Sequence, residues 1–171
     1  GIFPWYSEDE PILWYSPNPR MVITPDKFHL SKSLRKITHS SRFEVRIDTA
    51  FEDVITRCRS VIRPGQAGTW IDDAMVQAYC DLNEAGYAHS YEVYENDKLV
   101  GGLYGVALGG VFFGESMFSL VSNASKVAFA YLLQNSHYRL IDCQVENKHL
   151  QNLGAFRLPR DLFIQQLKAF V

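Results

Sequence analysis

Three side chains that could do chemistry lie inside two apolar stretches of this sequence. Glu115 belongs to GESMFS, which ends a glycine-rich apolar run starting at Gly101, and Asp142 and Gln144 belong to LIDCQV. A charged or polar group is costly to bury unless it is paired or used, so these groups indicate a place where a substrate or a partner side chain is held. For an isolated Asp, capping a turn at the end of a strand is the simpler interpretation.

Residues 139–145 predict a strand that would present two of these groups together. Side chains two residues apart on a strand face the same side, so Asp142 and Gln144 could meet one substrate while Cys143 faces the other way. No partner histidine is evident for Cys143. We therefore do not expect this cysteine to act as a nucleophile.

The composition describes a globular chain with no overall attraction for nucleic acid. The 171 residues suffice for one domain with a core, and 47% of them are hydrophobic. The formal net charge is −2 and the pI is about 6.2. Any binding of nucleic acid must therefore come from a local basic patch.

The cysteines and the apolar runs predict a cytoplasmic protein that does not bind membranes. The three cysteines have no metal-ligand spacing, and their odd number argues against a disulfide framework. This usage fits a reducing compartment. No apolar run reaches the ~18 residues of a membrane span, and no signal peptide is evident. Histidines and carboxylates are scattered, so we expect no metal and no organic cofactor.

One dense basic run, KFHLSKSLRKITHSSR, occupies residues 27–42. Lys32, Arg35, Lys36 and His39 recur at spacings of three and four, which places them on one side of a helix with apolar residues on another. A solvated helix face is the usual interpretation of this pattern. The functional alternative is a face that binds RNA phosphates, with an affinity that depends on salt.

The order of the predicted elements favours a mixed sheet. Apolar patterning predicts strands at 88–95, 98–108 and 111–118, joined as an antiparallel meander. An amphipathic helix precedes them, and a helix at 121–135 leads to the strand at 139–145. This is the order of the GCN5-related acetyltransferase-like fold, an α+β architecture whose mostly antiparallel sheet is flanked by helices.

We expect a division of the chain at residue 42. Residues 1–42 contain an irregular segment rich in aromatic residues and proline, followed by the basic helix, and residues 43–171 form the acetyltransferase-like domain. Proline fixes the backbone and removes a hydrogen-bond donor, so the beginning of the chain does not favour a helix. Its aromatic side chains either stack on bases or cover a core.

Long motifs of this sequence resemble those of the leucyl/phenylalanyl-tRNA–protein transferases. These bacterial enzymes move an amino acid from a charged tRNA to the N-terminus of a protein. The motifs follow in the order GIFPWYS, PILWYSPNPR, GTWI, GLYGVALGGVFFGESMFS, ASK, LIDCQ and LGA…LPR. They cover nearly the whole chain.

The resemblance implies a reaction and its partners. The donor would be an aminoacyl-tRNA carrying Leu or Phe, and also Met, and the acceptor a protein that begins with Arg or Lys. The product would enter N-degron protein degradation in the cytoplasm, and we expect a monomer. Family members usually carry a segment before GIFPW, whereas this chain begins at Gly1. We therefore interpret residues 1–42 as the remnant of a small N-terminal subdomain.

The resemblance also implies roles for particular residues. Asp142 and Gln144 would be catalytic, and Glu115 would bind the cationic acceptor residue. The remaining contacts would be to the donor: Trp5 and Trp70 to the 3′-terminal adenosine, Phe112 and Met117 to the aminoacyl side chain, and Lys32, Arg35, Lys36 and His39 to the acceptor stem. The structural alternatives are that both tryptophans lie in the core and that Glu115 pairs with a nearby arginine.

Ester aminolysis does not require a strong base, because an α-amine ordinarily has a pKa of roughly 8 and is partly neutral near pH 7. An unperturbed Asp, with a pKa near ~3.9, is a weak base. Asp142 could still take the proton of the amine, directly or through Gln144. Our hypothesis is that Asp142 mainly orients Gln144 and stabilises the developing ammonium.

Two other functions compete with this one. A CoA-dependent N-acetyltransferase of the same fold would need a glycine-rich turn for the pyrophosphate, where this chain has Ser-Asn-Ala-Ser-Lys at 122–126. A catalytically idle module that binds tRNA or degrons is the second alternative. The presence of Glu115, Asp142 and Gln144 together argues against an idle module.

Overall fold

A computed structural model describes residues 2–4, 11–61 and 71–171 of the chain. The described residues form the strands β1 (Phe3–Pro4), β2 (Trp14–Tyr15), β3 (Arg20–Ile23), β4 (Glu44–Ile47), β5 (Ala88–Glu95), β6 (Lys98–Leu108), β7 (Val111–Ser119), β8 (Leu140–Gln144) and β9 (Phe156–Leu158). Their helices are α1 (Lys32–Thr38), α2 (Phe51–Arg59), α3 (Asp73–Glu84), α4 (Ala124–Asn135), α5 (Lys148–Gln151) and α6 (Arg160–Phe170). None of these helices is long and apolar enough to cross a membrane.

The main sheet has seven strands in the order β4-β5-β6-β7-β8-β3-β9, while β1 and β2 pair separately. Neighbouring strands of the main sheet are antiparallel except β7 and β8, which are parallel. The parallel pair is short: Val111, Phe112 and Phe113 pair with Leu140, Ile141 and Asp142. Beyond these residues β7 and β8 no longer pair, and a fork opens between them.

Helices cover both faces of this sheet. The buried helix α4 packs against β5 and β6 in one hydrophobic cluster. Helices α2 and α3 cover the opposite side of β5, β6 and β7 in a second cluster. Helix α6 contributes Phe163 to a third cluster, beside β3, β8 and β9. The sheet is therefore shielded on both faces, and the fork between β7 and β8 lies between these layers.

The N-terminal part of the chain contributes to the same sheet. Strand β3 lies between β8 and β9, and α1 packs against α4. The sheet thus contains residues from both sides of the boundary that we expected at residue 42. Only β1 and β2, before residue 16, form a ribbon of their own.

Two irregularities in the strands shape the fork. In β7, Gly114 and Ser116 pair with adjacent residues of β6, which leaves Glu115 as the extra residue of a bulge. In β8, Asp142 and Gln144 pair with adjacent residues of β3, which leaves Cys143 as the extra residue. Bulges of this kind bend a strand and redirect its side chains. Each predicted site strand therefore contains a bulge at its polar residues.

Candidate active site

A cavity of about 310 Å³ fills the fork between β7 and β8. Its polar lining residues are Glu115, Ser116, Asp142, Gln144, Asn147 and His149. Its apolar lining residues are Phe3, Pro4, Leu103, Phe112, Met117, Phe129, Leu132, Ile141, Val145 and Leu150, together with Gly114 and Cys143. The structure thus brings the predicted catalytic pair, the predicted acceptor carboxylate and the predicted side-chain pocket into one cavity.

Asp142 forms a buried ion pair with Arg20. Nε of Arg20 donates to Oδ1 of Asp142 at 2.8 Å, and Nη2 donates to Oδ2 at 2.6 Å. The Arg20 residue is 1% exposed and Asp142 is 0% exposed. The rings of Phe3 and Phe163 each lie with their centres 4.9 Å from the guanidinium carbon of Arg20. A bidentate pair with aromatic contacts fixes the position of the Asp142 carboxylate and gives it a counter-charge.

Asp142 also holds the backbone of Gln144. The backbone N–H of Gln144 donates to Oδ1 of Asp142 at 2.9 Å. Gln144 has a φ of +57°, in the left-handed region that residues other than glycine seldom occupy. The two-residue alternation predicted from the sequence therefore ends at this position. Asp142 orients Gln144 through the main chain, at the point where β8 stops.

Cys143 packs into the hydrophobic cluster beneath α4, whereas Asp142 points toward Arg20 and α6. The predicted alternation is therefore kept between these two neighbours. Burial raises the pKa of the Cys143 thiol, and the neighbouring Asp142 carboxylate raises it further. A thiol held in its neutral form is a poor nucleophile, which agrees with the expectation from the sequence.

Glu115 differs from Asp142 in its surroundings. None of the ion pairs among the described residues includes Glu115. Burial raises the pKa of Glu115 to about 7, and the nearby Asp142 carboxylate adds to this rise. A hydrogen bond from the Tyr79 hydroxyl and the charge of Arg20 lower the same pKa. Near neutral pH the cavity therefore contains a carboxylate whose charge is poised to accept a cation.

Charge counting separates the roles that the two carboxylates can take. Arg20 already neutralises Asp142, and both oxygens of that carboxylate accept hydrogen bonds from it. Ionised Glu115 adds one negative charge without an ion-pair partner in the described part of the chain. A cationic group that enters the cavity would therefore be attracted to Glu115 rather than to Asp142.

The remaining wall of the cavity is apolar. Phe112 is fully buried, and its ring contacts Tyr91 and Tyr138 with centroid distances of 6.0 and 5.2 Å. Met117 is only partly buried and lines the cavity beside Phe129 of α4. A flexible thioether beside rigid rings can adapt to apolar groups of different shape.

The predicted basic residues lie on and next to α1. Lys32, Arg35, Lys36 and His39 are all exposed, while Leu34 of the same helix is buried. Ser31 caps the helix by accepting the backbone N–H of Leu34 at 3.3 Å. The helix thus anchors one face in the core and presents its cations to solvent.

The two predicted adenosine contacts, Trp5 and Trp70, lie outside the described residues. Arg20 and Tyr79 were assigned no role from the sequence, although both interact with the site carboxylates. A signal for Arg20 was present, since this charged residue directly precedes the apolar strand Met21–Ile23. Tyr79 carried no such signal, because it lies on the apolar stripe of α3 like any core residue.

Asn147 and His149 lie soon after β8. Oδ1 of Asn147 accepts the backbone N–H of His149 at 2.8 Å and so caps α5. Both residues also line the cavity. Burial lowers the pKa of His149, and the charge of Lys126 lowers it further. These residues therefore contribute a neutral polar rim as well as a helix cap.

Comparison with known proteins identifies the family. The model of the leucyl/phenylalanyl-tRNA protein transferase family matches residues 22–168, and the model of its N-terminal domain matches residues 1–18. The chain belongs to this family. The family predicted from the sequence motifs is thereby confirmed, and the chain is a transferase.

Relatives in three bacteria match the transferase over most of both chains, and each is called leucyl/phenylalanyl-tRNA–protein transferase. The protein from Myxococcus xanthus is 56% identical, covering 98% of this chain and 73% of its own length. That from Xanthomonas axonopodis pv. citri is 57% identical, with coverage of 98% and 69%. That from Flavobacterium johnsoniae is 51% identical, with coverage of 99% and 81%.

Solved structures resemble the transferase in fold. Eis1 from Mycobacterium abscessus aligns with a TM-score of 0.52 at 9% identity, over 85% of this chain and 42% of that chain. A GCN5-related N-acetyltransferase from Kribbella flavida aligns with a TM-score of 0.47 at 9% identity, over 84% and 55%. The mostly antiparallel sheet with flanking helices confirms the predicted fold class.

Proposed function

We propose that this transferase moves Leu, Phe or Met from aminoacyl-tRNA to the N-terminal Arg or Lys of acceptor proteins. The observation that carries this proposal is the combination, in one cavity, of an apolar wall with a carboxylate that has no ion-pair partner in the described part of the chain. The apolar wall suits the donor side chain, and Glu115 suits the cation of the acceptor. Gln144 lines the same cavity, at the end of β8.

The reaction is aminolysis of an ester. The nitrogen of the acceptor's α-amine attacks the carbonyl carbon of the aminoacyl ester, and a C–N bond forms as the C–O bond to the ribose breaks. The proton lost by the amine ends on the ribose hydroxyl. Holding the amine and the ester in line can supply on the order of 7–11 kcal/mol of the barrier reduction. Positioning is therefore the main task of the cavity.

The bonds of Asp142 favour one of the two roles hypothesised for it. Because Arg20 already neutralises this carboxylate and donates to both of its oxygens, it is poorly suited to stabilise a second cation. Its hydrogen bond to the Gln144 N–H supports the role of orienting Gln144. We propose that Gln144 contacts the reacting groups and that Asp142 acts through it.

The donor tRNA has two further contacts in this proposal. The exposed cations of α1 bind phosphates of the acceptor stem, with Lys32, Arg35, Lys36 and His39 as the contacting residues. Trp5 and Trp70 hold the 3′-terminal adenosine by stacking. The protein acts as a cytoplasmic monomer that prepares N-degron substrates for degradation.

The acetyltransferase alternative receives no support at the start of α4. An acetyl-CoA pyrophosphate would require free backbone N–H groups there. The backbone N–H of Ser125 instead donates to the hydroxyl oxygen of Ser119 at 3.2 Å, and that of Ala124 donates to the carbonyl of Val121 at 3.2 Å. These two N–H groups are therefore already used within the chain.

A transfer assay tests the proposed function. Charged tRNA with labelled Phe is incubated with the transferase and with one of two acceptor proteins that differ only in beginning with Arg or with Ala. We expect label on the Arg protein alone. Label on neither protein, with salt-dependent binding of tRNA, would instead support an idle binding module. Label on both proteins would contradict the role of Glu115 in choosing the acceptor.

A further inference from the structure

Arg20 connects four separate parts of the chain next to the active-site cavity. It lies on β3 and pairs with Asp142 on β8, 122 positions away in sequence. The ring of Phe3, from β1, lies against its guanidinium, and so does the ring of Phe163, from α6. No other buried arginine is present among the described residues. Neutralising one carboxylate requires a single cation, whereas Arg20 is also held by two aromatic rings.

The contacts form a continuous path from Arg20 to Gln144. Oδ1 of Asp142 accepts both Nε of Arg20 at 2.8 Å and the backbone N–H of Gln144 at 2.9 Å. Oδ2 accepts Nη2 of Arg20, so the plane of the carboxylate is fixed at both oxygens. The direction of the Gln144 N–H therefore follows from the orientation of the guanidinium.

Gln144 needs such a restraint. Its φ of +57° is unfavourable for a residue with a Cβ, and such a conformation persists only where the surroundings enforce it. In an ordinary extended conformation, Gln144 would continue the strand, and its side chain would take a different direction. The bulge at Cys143 and the hydrogen bond to Asp142 together hold the observed conformation.

We propose that Arg20 is a positioning residue for aminoacyl transfer, which it serves by locking Asp142 and thereby the left-handed backbone of Gln144. This inference rests on the proposed function, in which Gln144 contacts the reacting groups. Arg20 itself is absent from the cavity lining, so it acts through Asp142 and Gln144. Lysine cannot replace it, because an ammonium offers neither the two-pronged geometry nor a flat face for two rings.

The test compares Arg20→Lys with a matched control on the surface. Arg46 also makes a two-pronged ion pair, to Glu44 at 2.8 and 3.0 Å, and its guanidinium lies 4.2 Å from the ring centre of Tyr94. Arg46→Lys therefore removes the same kind of interaction away from the cavity. For each protein, kcat and both KM values are measured, together with the backbone amide resonance of Gln144 in ¹⁵N-glutamine-labelled, ligand-free enzyme.

We expect Arg20→Lys to lower kcat on the order of 10- to 100-fold with little change in either KM, since small misplacements cost this much. The Gln144 amide resonance should shift with it, and Arg46→Lys should change neither quantity. An unshifted Gln144 resonance, or a kcat equal to that of wild type, would overturn the proposal. So would a loss that disappears when rates are corrected for the folded fraction.

A second variant and the ligand-free readout keep the proposal testable. If Arg20→Lys does not fold, Phe163→Leu keeps the ion pair and removes one of the two rings, and it should shift the Gln144 resonance in the same direction by less. The resonance is read without substrate. It therefore reports on the lock, meaning the restraint of the Gln144 backbone by Arg20 through Asp142, even if the wild-type enzyme fails to transfer an amino acid. That failure would overturn the proposed function and the catalytic part of this inference, while a shifted resonance would still establish the lock.

Discussion

Tyr79 on α3 directs its hydroxyl to the carboxylate of Glu115 on β7. The phenol ring is buried and packs edge-on against Tyr104, with a centroid distance of 5.3 Å. A hydroxyl donates a hydrogen bond but brings no positive charge. Glu115 is therefore oriented by a neutral partner, which does not neutralise its charge. Asp142, by contrast, is neutralised by Arg20.

Replacing Glu115 with Gln should impair use of the acceptor far more than binding of tRNA. The substitution keeps the size of the side chain and removes the charge that would meet the acceptor's Arg or Lys, so KM for an Arg-starting peptide should rise on the order of tenfold or more. The Kd for aminoacyl-tRNA should stay within about twofold. Glu95→Gln, which removes a surface carboxylate paired with Arg42, is the matched control. Equal losses for both substrates would contradict this role.

The affinity for Arg-starting peptides should rise with pH around neutrality. Burial raises the pKa of Glu115 to about 7, so below that pH the protonated form predominates and cannot pair with the cation. Affinity should therefore increase as pH rises through about 7 and then level off. The Kd ratio of Arg- to Ala-starting peptides isolates this effect, because the α-amine titrates in both. Tyr79→Phe removes a donor that lowers the Glu115 pKa and should move the transition upward; an unmoved transition would contradict the assignment.

Asp142→Asn should lower both the free energy of unfolding and the rate of aminoacyl transfer. Asn has the same shape, but it leaves Arg20 buried without a counter-charge, and breaking a buried pair in this way costs about 3–5 kcal/mol. Urea unfolding measures this loss. The double variant Arg20→Met with Asp142→Asn should lose less than the sum of the two single variants, because no unpaired charge remains. A single Asp142→Asn variant with near-normal stability and turnover would remove Asp142 from both roles.

The patterning of the sequence was sufficient to predict the sheet but not its bulges. Apolar runs and the turns between them predicted β5, β6, β7 and β8 close to their observed bounds. Glu115 and Cys143 are extra residues only relative to the strands beside them. Because a bulge depends on the register between two strands, no period within one strand reveals it.

The motifs indicated the site residues, whereas their partners depended on long-range contacts. Glu115, Asp142 and Gln144 were noticeable as polar residues in apolar runs. The ion pair that neutralises Asp142 joins it to Arg20, 122 positions away in sequence. Only the structure distinguishes Asp142 in this way from Glu115. Such an ion pair brings together strands that are not consecutive, so a single sequence does not specify it. The division of roles between the two carboxylates is therefore a property of the fold.

Shortening Met117 should change the choice of donor. Met117 lines the cavity while remaining partly exposed, so Met117→Ala enlarges the pocket without removing a fully buried side chain. Leu is the smaller donor side chain and loses contact with the wall of the enlarged pocket. Each methylene contact that is lost costs about 1–3 kcal/mol of transition-state binding, so kcat/KM for Leu should fall more than kcat/KM for Phe. Competition between the two charged tRNAs measures the ratio. Met75→Ala, in the cluster on the opposite face of the sheet, should leave the ratio unchanged.

Neutralising the exposed cations of α1 should weaken tRNA binding in a salt-dependent way. Lys32, Arg35 and Lys36 are exposed, and removing one phosphate-binding cation should make the slope of log K against log salt less steep by about 0.7–0.9. Single changes to Gln, with Kd measured by filter binding at several salt concentrations, give these slopes. Lys168→Gln, at the exposed end of α6, is the control and should leave the slope unchanged. Slopes equal to wild type for all three variants would mean that α1 presents only a solvated face, and the acceptor stem would then have to be bound elsewhere on the protein.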